Sequence, residues 1–168
     1  MDTLQILKIL KRNIGEACLG VFPSDRLPKS MPKSSAIVVN TDPSDKPGTH
    51  WVAIFKNVDG TVDYFDSYGF KPMVATISHF LNKFKKCHYN MKRIQGILSS
   101  VCGHYCIYFV MQRWKNNSME EIVTKFSENG EENDEMITEW VNGNFQLDTE
   151  TYDVEYIVNQ ICQALNKI

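Results

Sequence analysis

The sequence predicts an α+β fold: a mixed central sheet containing a hairpin over residues 51–66, packed against a buried helix that starts at Cys102, with a helical C-terminal third. Three observations carry this expectation. Residues 36–40 are a β-branched run of strand length, two strand-like runs flank the turn signal Asp59-Gly60, and residues 102–115 are apolar on nearly every side of a helical wheel.

The elements follow in chain order. Thr3 to Arg12 are helix formers behind the N-cap candidate Asp2, and the pattern stops at Asn13-Ile14-Gly15. Five prolines between Pro23 and Pro47 mark loops on either side of the 36–40 strand. Trp51–Lys56 and Thr61–Asp66 should pair antiparallel around Asn57–Gly60. After a turn at 68–72, Met73 to Phe84 places apolar residues at 73, 74, 77, 80, 81 and 84, the spacing of one helix face. The basic stretch from Lys83 to Arg93 should end in a strand near Tyr89 to Ile94. Beyond the Cys102 helix, Ser118 caps a helix over 119–126, Asn133 caps one over 134–141, and Val154, Ile157, Val158, Ile161 and Leu165 mark a last amphipathic helix.

At 168 residues and 43% apolar content the chain suits one domain over residues 1–168. Its longest apolar run, Cys106 to Met111, is far below the roughly 20 residues of a membrane span, so no membrane segment is expected. The N-terminus lacks the order of a secretory signal, and five cysteines (18, 87, 102, 106, 162) are an odd number in a chain long enough to fold without disulfides. An intracellular, reducing location with free thiols is the expectation. Net charge is −2, which argues against a generic nucleic-acid binder, but residues 67–119 hold eight basic and no acidic side chains while residues 120–168 hold two basic and twelve acidic. The basic segment reads either as a nucleic-acid surface or as a solvated face neutralised by the chain's own acidic third.

The hairpin allows a distance argument. Its turn centres between 58.5 and 59.5 for a loop of about two to four residues, so position 50 falls opposite one of 67 to 69, and His50 and Asp66 share one end of the hairpin. Cross-strand neighbours lie about 5 Å apart and diagonal ones about 7 to 8 Å, within reach of an imidazole and a carboxylate. They could equally be two solvated side chains at a strand end. Cys102 shifts the balance, because a thiol in the first turn of a buried helix meets free N–H groups and the positive end of the helix dipole, which favour a nucleophilic thiolate. Cys106, one turn deeper, reads as core; Cys18, Cys87 and Cys162 read as small hydrophobes or surface thiols. His104 projects away from Cys102, His79 sits on its own helix, and His88 lies among lysines. Metal-ligand spacings and phosphate loops are lacking, so no metal is expected.

Taken in order, Gly48-Thr49-His50-Trp51, Tyr64-Phe65-Asp66-Ser67-Tyr68-Gly69-Phe70, Gln95-Gly96 and Cys102-Gly103 resemble the adenovirus-type cysteine proteases (adenain), relatives of the ubiquitin-like-protein deconjugases. Leu19–Phe22 and Ala36–Thr41 also look like that family's N-terminal region, and the resemblance spans most of residues 3 to about 115. It implies Cys102 as nucleophile, His50 as general base, and Asp66 as the acid that orients the imidazole where the adenovirus enzymes more often have Glu. It also implies Gln95 and the Cys102 backbone N–H as oxyanion donors, with Trp51 and Gly48 in the substrate cleft. The implied function is an endopeptidase of a DNA virus or virus-like mobile element, cutting capsid or core precursors at glycine-containing sites in the virion, nucleus or a cytoplasmic viral factory. The chemistry requires no cofactor, but the family's activators carry over as expectations: a short viral peptide disulfide-bonded to Cys87, and DNA along the 67–119 segment. Two alternatives stand beside this reading, a deconjugase of a ubiquitin-like modifier ending in Gly-Gly and a non-catalytic nucleic-acid-binding accessory protein.

Overall fold

The structure, a computed structural model, describes residues 1–145. It opens with helix α1, Thr3–Ile14, two residues longer than the sequence pattern predicts. The Asp2 carboxylate accepts the Gln5 N–H at 2.9 Å and the Gln5 side chain accepts the Asp2 N–H at 2.9 Å, a reciprocal cap that satisfies two otherwise unpaired donors. A 3₁₀ turn leads into β1, Cys18–Pro23, which the sequence did not announce. Its pairing skips at Leu19 and Pro23 closes it, so the two-residue period that marks a strand is broken.

Strands β2 (Ser35–Asn40), β3 (Trp51–Lys56), β4 (Val62–Phe65) and β5 (Cys87–Tyr89) complete a five-stranded sheet in chain order. The inner pairs are antiparallel and the outer pairs, β1 with β2 and β4 with β5, are parallel. Both faces of the sheet are covered. Ala36, Val38, Ala53, Phe55 and Phe65 face one core with Ile6 and Leu10 of α1. Ile37, Val39, Val52, Ile54, Val62 and Tyr64 face another with Ile77, Phe80 and Leu81 of α2, Ala75–Leu81. A strand buried on both faces has no polar side to show, which is why 36–40 reads as a continuous apolar run.

Helix α3, Cys102–Trp114, packs on the first face, where ten of its thirteen residues are buried. Helix α4, Met119–Val123, carries the expected Ser118 cap in a reciprocal pairing with Glu121 but stops before Phe126. Helix α5 runs Gly130–Asn144. No helix among the described residues is long and apolar enough to cross a membrane.

Four expectations are corrected. The 73–84 helix is only the seven residues of α2, flanked by Val74 and Phe84, which still pack on the second core. The strand near 89–94 lies earlier, at 87–89, because the following backbone leaves the sheet to wrap the 66–69 turn: Ile94 and Gln95 donate to the Ser67 carbonyl at 2.9 and 3.1 Å. Gly69, at φ +73, lies so close to Lys92 that a Cβ there would sit 2.7 Å from its carbonyl carbon. Asn133 is not a cap. Asn129 caps α5, and Asn133 is buried in the first turn, donating to the Ile94 and Ser127 carbonyls at 2.9 and 3.1 Å. The hydrophilic run Gly130–Asn133 hides that turn from a periodicity reading. The fourth is the 119–126 helix, shortened as above. The expected helix around 154–165, and Cys162, lie outside the described residues.

Gly130 sits against the chain at Gly96, where an added Cβ would lie 2.7 Å from the Gly96 nitrogen. Gly to Ala in a helix ordinarily gains up to about 1 kcal/mol. Here the backbone contact reverses the sign, and Gly130→Ala should cost about 1–3 kcal/mol, read as a lower urea midpoint at unchanged m-value.

Candidate active site

Lys56 faces Val62 and Ala53 faces Phe65, which puts position 50 opposite position 68 and Asp66 on the diagonal. His50 directly precedes β3, where its carbonyl accepts the Thr41 N–H at 2.9 Å and so extends the β2–β3 ladder by one step. Its ring lies 5.0 Å from that of Tyr68, and its Nε2 is 3.0 Å from Asp66 Oδ1. The bland alternative of two solvated side chains does not hold, since the side chains are only 16% and 4% exposed.

Asp66 is held on three sides. Its Oδ1 also accepts the Tyr68 N–H at 2.8 Å, its N–H donates to Asn90 Oδ1 at 2.9 Å, and its carbonyl accepts from Asn90 Nδ2 at 2.7 Å. Asn90, 5% exposed, is a residue that sequence reasoning missed. Its only signal was a buried amide in a basic stretch, which spacing cannot reveal.

Cys102 is the first residue of α3 and hydrogen-bonds His50. Asp66 takes Nε2, which leaves the other ring nitrogen, Nδ1, free of the carboxylate. Burial opposes the thiolate, but the bond to His50, the backbone N–H groups of Trp51 and Gly103, and the imidazolium charge outweigh it, so the thiol lies below its ordinary range. Burial likewise works against the imidazolium; the carboxylate and the thiolate overcome it and push His50 up to about 9. The shifts are complementary, and both favour a thiolate–imidazolium pair over a neutral thiol and imidazole. The other described thiols differ: burial pushes Cys18 and Cys87 up to about 11 and Cys106 well above its ordinary value.

Gln95 is fully buried, and its amide is engaged. Oε1 accepts the Ser67 hydroxyl at 2.6 Å, while Nε2 donates to the Ser99 carbonyl at 3.0 Å and to Ser99 Oγ at 2.9 Å. Tyr68 OH donates to the same Ser99 carbonyl at 3.3 Å, so the 96–101 loop is drawn in over the site by two side chains. Trp51 is partly buried against the α3 core and contributes its N–H to the thiol. Gly48, at φ +86, lets the chain pass the Asn40 amide on its way to His50, where any side chain would collide. Its backbone role is thus visible. Cys87 lies on β5 beside His88, whose Nδ1 is 3.2 Å from Asp63. This second His–Asp pair is completed by Arg113 at 2.9 Å from Asp63. No group of three or more His, Cys, Asp or Glu among the described residues could hold a metal ion.

A thiol at a helix N-terminus, bonded to an imidazole that is bonded in turn to a carboxylate, is the arrangement of the thiol-dependent hydrolases. The model of the adenovirus endoprotease family matches residues 18–150, and the chain belongs to that family. A cysteine protease of African swine fever virus (Tick/Malawi isolate) is 28% identical over 99 residues, 52% of this chain and 36% of that protein. The SUMO-1 cysteine protease of the Warthog/Namibia isolate is 27% identical over the same shares. The chain therefore spans about a third of the length of these curated relatives. A crystal structure of the African swine fever virus protease superposes with a TM-score of 0.60 at 18% identity, over 79% of this chain and 63% of that one. Its selenomethionine form gives 0.51 at 25%, over 65% and 44%.

Limiting iodoacetamide at pH 7 should alkylate Cys102 first and leave Cys18 and Cys106 unmodified until the protein is denatured, as peptide mass mapping will read. In His50→Ala the pH at which Cys102 becomes reactive should move up. His50 is raised above its ordinary 6.5, so its contribution to stability is complete below that value and is lost as the pH rises through about 9. In Cys102→Ala, where no thiolate titrates in the opposite sense, the melting temperature should accordingly fall as the pH rises above 6.5, and with His50→Ala added it should not.

Proposed function

We propose that this protein is a cysteine endopeptidase of a DNA virus or virus-like mobile element, and that it cuts capsid or core precursor proteins at glycine-containing sites. The observation that carries the reading is the Cys102–His50–Asp66 chain of hydrogen bonds, in a chain that belongs to the adenovirus endoprotease family. The Cys102 thiolate adds to the scissile carbonyl, the carbonyl π electrons move to oxygen, and the His50 imidazolium gives its proton to the departing amine as the C–N bond breaks. Water then attacks the thioester, with His50 taking its proton and Cys102 leaving. Asp66 fixes the ring and stabilises its charge throughout.

The oxyanion is met by the Cys102 N–H, one of the helix's first donors, which have no acceptor within the helix. Gln95 is the second donor under a condition that its bonds set. Both of its amide protons point to Ser99, so the 96–101 loop must give one up as the tetrahedral intermediate forms. We place the protein in a reducing, intracellular setting, on the odd number of cysteines in a chain long enough to fold without disulfides. An activating peptide at Cys87 and DNA along residues 67–119 stay in the proposal as accessories. The second is weakened by Lys92, paired with Glu128 at 2.8 Å, and Arg113, paired with Asp63, which neutralise part of the basic segment within the chain.

The name of one relative, a SUMO-1 cysteine protease, favours a second reading, in which the same residues release a ubiquitin-like modifier ending in Gly-Gly. Comparing a short fluorogenic peptide with glycine at the scissile bond against the whole modifier separates the two: equal cleavage removes the deconjugase reading, and cleavage of the modifier alone removes the endopeptidase.

Cys102→Ala should abolish turnover and His50→Ala should reduce it on the order of 10⁴-fold or more, because the two act as a unit. Asp66→Asn keeps an orienting hydrogen bond and should cost less, about 100-fold; a variant as inactive as Cys102→Ala would mean the carboxylate has another task. Gln95→Glu replaces a donor with a carboxylate facing the oxyanion and should lower kcat by roughly 100- to 1000-fold at little change in KM. A Gln95→Glu protein that melts early and turns over normally would leave Gln95 only its bond to the Ser99 loop.

A further inference from the structure

Strand β5 ends at Tyr89, which pairs with Tyr64, so the sheet supplies no backbone neighbour for Asp66 on its outer side. Without a neighbour the Asp66 N–H, just past the end of β4, would have no partner, and its C=O would keep only the turn bond from the Gly69 N–H at 2.8 Å. The side chain of Asn90 fills that place. Its Oδ1 accepts the Asp66 N–H at 2.9 Å and its Nδ2 donates to the Asp66 carbonyl at 2.7 Å, so one planar amide makes the two bonds that a neighbouring strand would make. The second Nδ2 proton goes to the Lys92 carbonyl at 3.2 Å, which fixes the amide plane.

Fixing both backbone groups of the residue that follows a strand fixes the direction in which its side chain leaves the sheet. For Asp66 that direction is toward His50, and the carboxylate has little other support: the Tyr68 N–H and the imidazole itself. We propose that Asn90 is the positioning residue of the catalytic acid, a side-chain extension of β5 that aims Asp66 at His50 and through it sets the reactivity of Cys102. The proposal rests on the reading of Asp66 as the acid of the triad. Asn90 does not touch the reacting atoms, and its effect passes through the Asp66 backbone. The alternative is a merely structural amide that closes the sheet edge, and it makes a different prediction, since it stabilises the fold without altering the thiol.

The experiment compares Asn90→Ala, Asn90→Ser and Asp66→Ala with the parent, and uses Ile77→Val in the α2 core as a variant that loses stability far from the site. Three readouts are taken: kcat and KM on a fluorogenic peptide ending in Gly-Gly, the pH dependence of Cys102 alkylation by iodoacetamide, and the melting temperature. Asn90→Ala should lower kcat about 10- to 100-fold with KM nearly unchanged. It should also move the onset of Cys102 alkylation to higher pH, in the direction of Asp66→Ala. Asn90→Ser, too short to span both backbone groups, should do the same and serves if the alanine variant does not fold. Ile77→Val should lower the melting temperature and leave the other two readouts alone. Asn90 variants that melt early but keep the parent's kcat and alkylation profile, beside an Asp66→Ala that shifts both, overturn this inference alone. An Asp66→Ala with the parent's profile overturns the triad reading, and the role of Asn90 with it. If the parent does not cut the peptide, the alkylation profiles decide by the same comparison.

Discussion

Lys56 faces Val62 and Ala53 faces Phe65 across the central hairpin, and this register turns a sixteen-residue separation in sequence into a hydrogen bond between His50 and Asp66. A slip of one residue would send the two side chains to opposite faces of the sheet. Apolar residues on both faces cannot forbid such a slip by themselves, because β4 presents Val62 and Tyr64 to one core and Phe65 to the other. The lone charge in the strand does forbid it. Asp63 is 4% exposed on the α3 side and meets Arg113 and His88 there; displaced by one position, it would face the α2 core with neither. The Asp63–Arg113 pair at the far end of the hairpin thus sets the geometry at the site.

Helix α3 contributes the thiol under an opposite tension. It must be buried to pack on the sheet, and burial alone raises a thiol, as Cys106 one turn further on demonstrates. Cys102 escapes only because it is the first residue, where backbone N–H groups and an imidazole reach it. Four positions along one helix therefore separate an inert thiol from a reactive one.

Much of this was legible in the residues. The Asp-Gly turn located the hairpin, the hairpin brought His50 to Asp66, and the all-apolar helix marked Cys102 as its first residue. The order of His50, Asp66, Gln95 and Cys102 then pointed to the family whose model the chain matches. What escaped was built from polar groups doing the work of backbone. Asn90 continues a strand with its amide, so β5 looked longer and later than it is. Asn133 clamps Ile94 from inside a helix turn that sequence placed outside it. Periodicity sees apolar faces, and neither asparagine lies on one. The bonds from Gln95 to Ser99 were equally invisible, since they depend on how a loop folds back upon itself.

The sheet's pairing pattern also orders events in time. β2, β3 and β4 form an antiparallel meander in which the β3–β4 hairpin has the shortest connection of the sheet, whereas β5 joins in parallel only after the long excursion through α2, and α3 arrives from still further along the chain. Local pairings close at the smallest entropic cost and tend to form first. The imidazole and its carboxylate should therefore find each other early in folding, while the thiol joins them only when α3 has docked on a finished sheet. The three side chains of the candidate site accordingly come together only when the fold is almost complete.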